Sequence, residues 1–234
     1  MRNYKQQEER SLNSRKLVQM FFKTLFIGGL IGLITSFFVM SNEYAEYLNP
    51  VDFKELTGVT LFFLGYALVF TVVSQTGFFA YLFINQYGGA LFKALWPTVQ
   101  LLFVIFVVAS LIYVPPKEVI SLSTYILLTA IIVVAGAIVA YIKYKQTNFT
   151  AVIPALFLMV VMTVVEWTPV LRGGDFQYML LVLPTLLSAN AYQLITLHYV
   201  TKVDEEHQRR QAERLKQREQ KRKAKMKQKQ QLNK

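Results

Sequence analysis

Cysteine is absent from the 234-residue chain, which removes disulfides, thiolate metal sites and cysteine nucleophiles together. Histidine is nearly absent as well. His198 and His207 are too few for a zinc site that needs three or four nitrogen or sulfur ligands. No G-x-S-x-G, H-E-x-x-H or Walker sequence occurs, and no paired aspartates lie on facing apolar runs. A rhomboid-type serine protease needs a serine motif and a mid-membrane histidine. His198 instead sits near the end of an apolar run, and no such motif accompanies it. The chain reads as non-enzymatic, with no cofactor and no metal.

Charge is missing over long stretches. The chain is 54% hydrophobic despite two very polar ends, and its apolar residues are concentrated in runs, which is a membrane signature. The runs cover about Leu17–Met40, Thr57–Ile84, Ala94–Val114, Leu122–Tyr141, Thr150–Val165 and Tyr178–Val200. Each is near or above the roughly 20 residues that cross about 30 Å of hydrocarbon, the fifth being shortest. They lack the two-residue alternation of a barrel strand, so they are expected to be helices. Polar residues 1–16 precede the first run and no small-x-small cleavage site follows it, so it reads as an uncleaved span. The expectation is an all-α, polytopic six-transmembrane-helix bundle at residues 17–200. A basic tail at 1–16 and another at 201–234 flank it.

The net charge of +11 invites a nucleic-acid reading until it is located. With the N-terminus inside, only Lys54, Lys117 and Arg172 of the 25 basic residues fall in outer loops. This asymmetry puts both termini in the cytoplasm and supports an even number of spans.

The stretch Val73–Gln100 organises the rest. An apolar run carrying Ser74, Gln75 and Thr76 reaches Asn85-Gln86-Tyr87-Gly88-Gly89 and restarts after Lys93. It reads as two helices joined by a turn at Gly88-Gly89, where glycine accepts positive φ cheaply. SQTGFFAYL, the NQYGG turn and the following WPTVQ resemble the KinB-signalling pathway activation family of spore-forming bacteria, over about Leu17 to Val200. That resemblance implies a multi-pass plasma-membrane protein supporting a membrane sensor histidine kinase that leads to sporulation. It brings no catalytic residues. Two other classes stay open from the residues alone. One is a small-solute transport component, such as the substrate-binding subunit of an energy-coupling importer. The other is a membrane-protein assembly factor.

Polar side chains inside the runs are the candidate site. At 1.5 Å per residue, Gln75, Gln100 and Gln193 fall at a common depth to the cytoplasmic side of their span midpoints. Lys23 falls about as far inward on the first run, and Asn190 nearer the midplane. Polar groups in hydrocarbon need partners, so an inner-leaflet layer is expected, holding the bundle or lining a small cavity. Lys23 also has the simpler option of snorkelling to the interface. Gly28 and Gly32 form a small-xxx-small face for close helix packing, within the bundle or against a partner. Glu166, beside Trp167, reads as an interfacial carboxylate at the outer end of the fifth run, free to pair with Arg172. Phe62, Tyr66 and Phe70 recur every four residues and share one helical face.

The C-terminal tail leans helical through Glu205–Arg209, Glu206–Arg210 and Glu219–Lys223 pairs. Its basic end, Lys221, Arg222, Lys223, Lys225, Lys227 and Lys229, is expected to contact anionic lipid headgroups. A purely topological role is the simpler reading of this end, and nucleic acid or the ribosome the weaker alternative partner.

Overall fold

A computed structural model describes residues 2–113, 121–197 and Glu213, with backbone alone for 2–15. Helices follow one another as α1 (Arg2–Val39), α2 (Ser41–Ala45), α3 (Phe53–Phe92), α4 (Trp96–Tyr113), α5 (Leu122–Gln146), α6 (Val152–Leu156) and α7 (Thr163–Gly173). A further helix, α8, covers Phe176–Leu197. Among the described residues the only extended pairing is an isolated bridge between Leu48 and Val51. Among the described residues, five helical stretches are long and apolar enough to cross a membrane.

By internal contacts the chain divides into Val18–Thr196 and a second unit of Met1–Leu17 with Leu197–Lys234. The site lies wholly in the first. In the second, the α1 backbone is helical from Arg2. His198 and the basic stretch Lys221–Lys229 lie outside the described residues.

The expected turn at Gly88-Gly89 is corrected. Helix α3 runs through both glycines and ends at Phe92, and the positive φ belongs to Lys93 (φ 48°, ψ −120°). Pro97 supplies the reason. A helical proline crowds the carbonyl four residues earlier, here that of Lys93, and offers it no N–H, which favours a break at that point even though Pro169 is carried inside α7. A three-residue 3-10 turn, Lys93–Leu95, leads into Trp96-Pro97 at the first turn of α4, where a missing N–H costs nothing. The chain folds back there. The Asn85 Oδ1 accepts hydrogen bonds from Trp96 Nε1 (2.9 Å) and Gln100 Nε2 (3.2 Å), residues that a straight helix would carry far away. Gly88 leaves the space that the Trp96 indole fills, and a β-carbon there would collide with the ring.

The fifth apolar stretch, Phe149–Gly173, is longer than its run of apolar residues suggests. Its middle, Phe157–Met162, is a π segment in which all six residues are buried. The extra residue per turn widens the face the helix turns inward. Beyond it the helix continues through Pro169 and stops at Gly174, which takes a left-handed φ of 76°. Asp175 Oδ1 then caps α8 by accepting from the Gln177 and Tyr178 backbone N–H groups.

The main core joins Leu111 of α4, Tyr125, Leu128 and Ile132 of α5, Trp167 of α7, and Met179, Val182 and Leu186 of α8. Trp167, placed by sequence near an interface, is instead a core residue whose Nε1 donates to the Met179 carbonyl at 3.1 Å. On α3, Phe62, Tyr66 and Phe70 form a ladder of ring contacts, and Tyr66 meets Tyr178. No residue of Tyr178–Leu197 is exposed, whereas α1, α3, α4 and α5 present large exposed apolar side chains. That outer surface suits hydrocarbon rather than water.

Candidate functional site

Helices α3, α7 and α8 meet around Asn190, which is fully buried. Its Oδ1 accepts from Ser74 Oγ at 2.9 Å. Its Nδ2 donates to Thr163 Oγ1 (3.0 Å) and to Glu166 Oε2 (2.8 Å). One turn along α8, Gln193 Nε2 donates to Ser74 Oγ (3.1 Å) and to the Ala189 carbonyl. The result is a line of carboxyl, carboxamide, hydroxyl and carboxamide groups, with Thr163 at its side.

Local sequence explains the convergence. Thr163 and Glu166, three apart, share a face of α7, and Asn190 and Gln193 do the same on α8. Ser74 and Gly77 do so on α3. Gly77 is what lets Glu166 in, because a β-carbon there would strike the Oε1 oxygen. That oxygen has no hydrogen-bond partner, and among the described residues no lysine or arginine pairs with the carboxyl group. Glu166 is only 5% exposed. This corrects its reading as an interfacial carboxylate at a span end. The helix continues to Gly173, so Glu166 lies inside it and faces α8. Its sequence signal was available: it is the only carboxylate adjoining an apolar run.

The remaining candidates sit elsewhere. Gln75 Nε2 donates to the Phe21 carbonyl of α1 at 2.8 Å, leaving its Oε1 without a partner. Gln100 belongs to the Asn85 cluster at the α3–α4 turn, and its Oε1 is also unpartnered. Lys23 is exposed on α1. Gly28 and Gly32 face the bundle: a β-carbon on the first would meet Thr71, and on the second Ala67 and Thr185. Asn190 and Gln193 are therefore brought together through Ser74, while Gln75, Gln100 and Lys23 have other surroundings. Sequence reasoning missed Lys143, buried on α5, whose Nζ donates to the Leu194 carbonyl at 2.9 Å.

The arrangement offers no activated nucleophile. The Ser74 hydroxyl proton goes to a carboxamide oxygen, not to a base. What it does offer is a buried ionisable group tied to three helices, the usual mark of a functional position inside a membrane protein.

Residues 28–200 match the family model described as KbaA, KinB-signalling pathway activation in sporulation. The chain belongs to that family. A curated relative, the KinB-signaling pathway activation protein of Bacillus subtilis (strain 168), is 35% identical over 192 residues. The match covers 80% of this chain and 97% of the relative. No solved structure matches. The SQTG segment that carried the family resemblance forms the α3 wall of the Asn190 site, supplying Ser74 and Gly77.

Proposed function

We propose that the protein is a non-enzymatic integral membrane accessory protein of the plasma membrane, and that it activates a membrane sensor histidine kinase pathway leading to sporulation. The observation that carries this reading is the similarity, over 80% of the chain, to a relative named for activating KinB signalling. The partner on this reading is the kinase itself. The Asn190 site would hold α3, α7 and α8 in the arrangement the kinase recognises.

Six spans with both termini cytoplasmic fit this role. Phe53–Tyr113 has 61 residues, about 90 Å of helix if straight, roughly three bilayer cores. Its reversal at Lys93 supports counting it as two spans. The lysine and arginine distribution supports the orientation. The basic residues Lys221, Arg222, Lys223, Lys225, Lys227 and Lys229 would then lie against the anionic inner leaflet.

Deleting the gene in its spore-forming host tests the function. Spore counts and phosphorylation of the sporulation response regulators should fall, and both should recover when the gene is restored. Unchanged sporulation with unchanged phosphorylation would sink the reading.

A further inference from the structure

Among the described residues Lys23 has no anion beside it. It makes no hydrogen bond or ion pair with a described residue. The span of α1 begins at Lys16, so Lys23 lies seven residues in, about 10 Å along the helix. The carboxylates Glu43, Glu46, Asp52 and Glu55 all follow the opposite end of α1, where Glu46 and its neighbours push the Tyr47 phenol above its usual range. The position of Lys23 is held from behind. Met20 and Thr24 are buried, and Gln75 binds the Phe21 carbonyl, so α1 cannot rotate to turn the lysine inward.

Lys23 lines an open groove with Phe22, Phe26 and Ile27 of α1 and Tyr192 of α8. Beyond the groove, the outward face of α1 stays apolar. Phe22, Phe26, Leu30, Ile34 and Phe38 recur every four residues and are all exposed. They make one apolar stripe about 24 Å long, counted along the helix. An occupant must therefore place one anionic group at the lysine and lay a long hydrocarbon chain beside it. We propose that this groove is a binding site for an anionic glycerophospholipid, with the phosphate at Lys23 and an acyl chain along the Phe22–Phe38 stripe. The lysine stem covers apolar surface while its ammonium meets the phosphate. Tyr192 links the lipid to α8, one residue from Gln193 of the buried site.

The test uses the full chain purified in neutral detergent, with lipid retention read by native mass spectrometry. The probes are phosphatidylglycerol and phosphatidylcholine with matched acyl chains. The wild type should retain phosphatidylglycerol preferentially, and Lys23→Gln should lose about fivefold of that preference while its tail stays intact. Lys23→Arg should keep the preference. Phe26→Ala should weaken retention of both lipids, and glycerol 1-phosphate should not compete. Thermal melts of all three variants should match the wild type, since these side chains are exposed. Equal retention by wild type and Lys23→Gln would overturn the proposal. So would displacement by glycerol 1-phosphate, which would indicate a free-anion site. Capture of a membrane protein through Lys23 with unchanged lipid retention would make the groove a helix-docking surface instead.

Discussion

Two polar clusters, one part-buried and one fully buried, hold the helices together, and they work over different distances along the chain. At Asn85 the bonded partners are 11 and 15 residues away, both across one turn. Around Asn190 the partners on other helices are 24, 27 and 116 residues away, on two other helices. The first cluster closes a hairpin whose arms are already neighbours. The second exists only when the whole bundle has assembled, and it includes a carboxyl group that packing alone does not require. A polar cluster that merely fastens helices has no need of an ionisable member. The difference separates a structural lock from a candidate site.

The largest effect should come from removing the hub of the second cluster. Asn190→Leu strips Ser74, Thr163 and Glu166 of their shared partner and leaves a carboxyl group buried without a donor. A loss of about 3 kcal/mol is expected in reversible unfolding from mixed micelles. A loss below about 1 kcal/mol would show that water or a shifted helix replaces the amide. Gly77→Ala should follow at about 2 kcal/mol, the usual cost of overpacking. Here the diagnostic is rescue: Glu166→Asp, one methylene shorter, should recover part of the loss in the double variant. Absence of any rescue would remove Gly77 from the role given to it.

The local cluster should matter less. Asn85→Leu orphans the Trp96 and Gln100 donors and should cost about 1–2 kcal/mol without altering signalling. If it abolishes sporulation in a still-folded protein, the contrast drawn between lock and site fails. Lys93→Gly goes the other way. The backbone at φ 48°, ψ −120° suits glycine, so the variant should gain up to about 1 kcal/mol. A destabilised variant would mean that the lysine side chain matters more than its backbone.

The smallest effect discriminates most finely. Ser74→Ala with Gln193→Leu should couple by about 0.6 kcal/mol, because Gln193 donates to Ser74. Gln75→Leu with Gln193→Leu should be additive within about 0.5 kcal/mol, because Gln75 binds the Phe21 carbonyl instead. The reverse pattern would restore the single layer suggested by equal depth.

Much of this was legible without coordinates. Apolar runs gave helices, the four-residue recurrence of Phe62, Tyr66 and Phe70 gave a face, and Gly28 and Gly32 gave close approach. Depth counting found Asn190 and Gln193 but could not say which helix faced which, so Gln75 and Gln100 were grouped with them. Glu166 was misjudged because the apolar run ends before the helix does. The π segment was invisible for a different reason: six consecutive buried residues have no period to detect. The hairpin turn was readable in hindsight. Gly88-Gly89 is the more obvious turn signal, but Pro97 is the residue that favours a break at Lys93.

The spacing along the chain also sets a timetable. Translation at about 5–20 residues per second delivers Gln100 to Asn85 in roughly 1–3 seconds. Glu166 precedes Asn190 by 24 residues, and so waits roughly 1–5 seconds for its donor. Ser74 precedes it by 116 and waits roughly 6–23 seconds. During synthesis the nascent chain therefore holds its hairpin first, and its buried carboxyl group stays unmatched until α8 arrives.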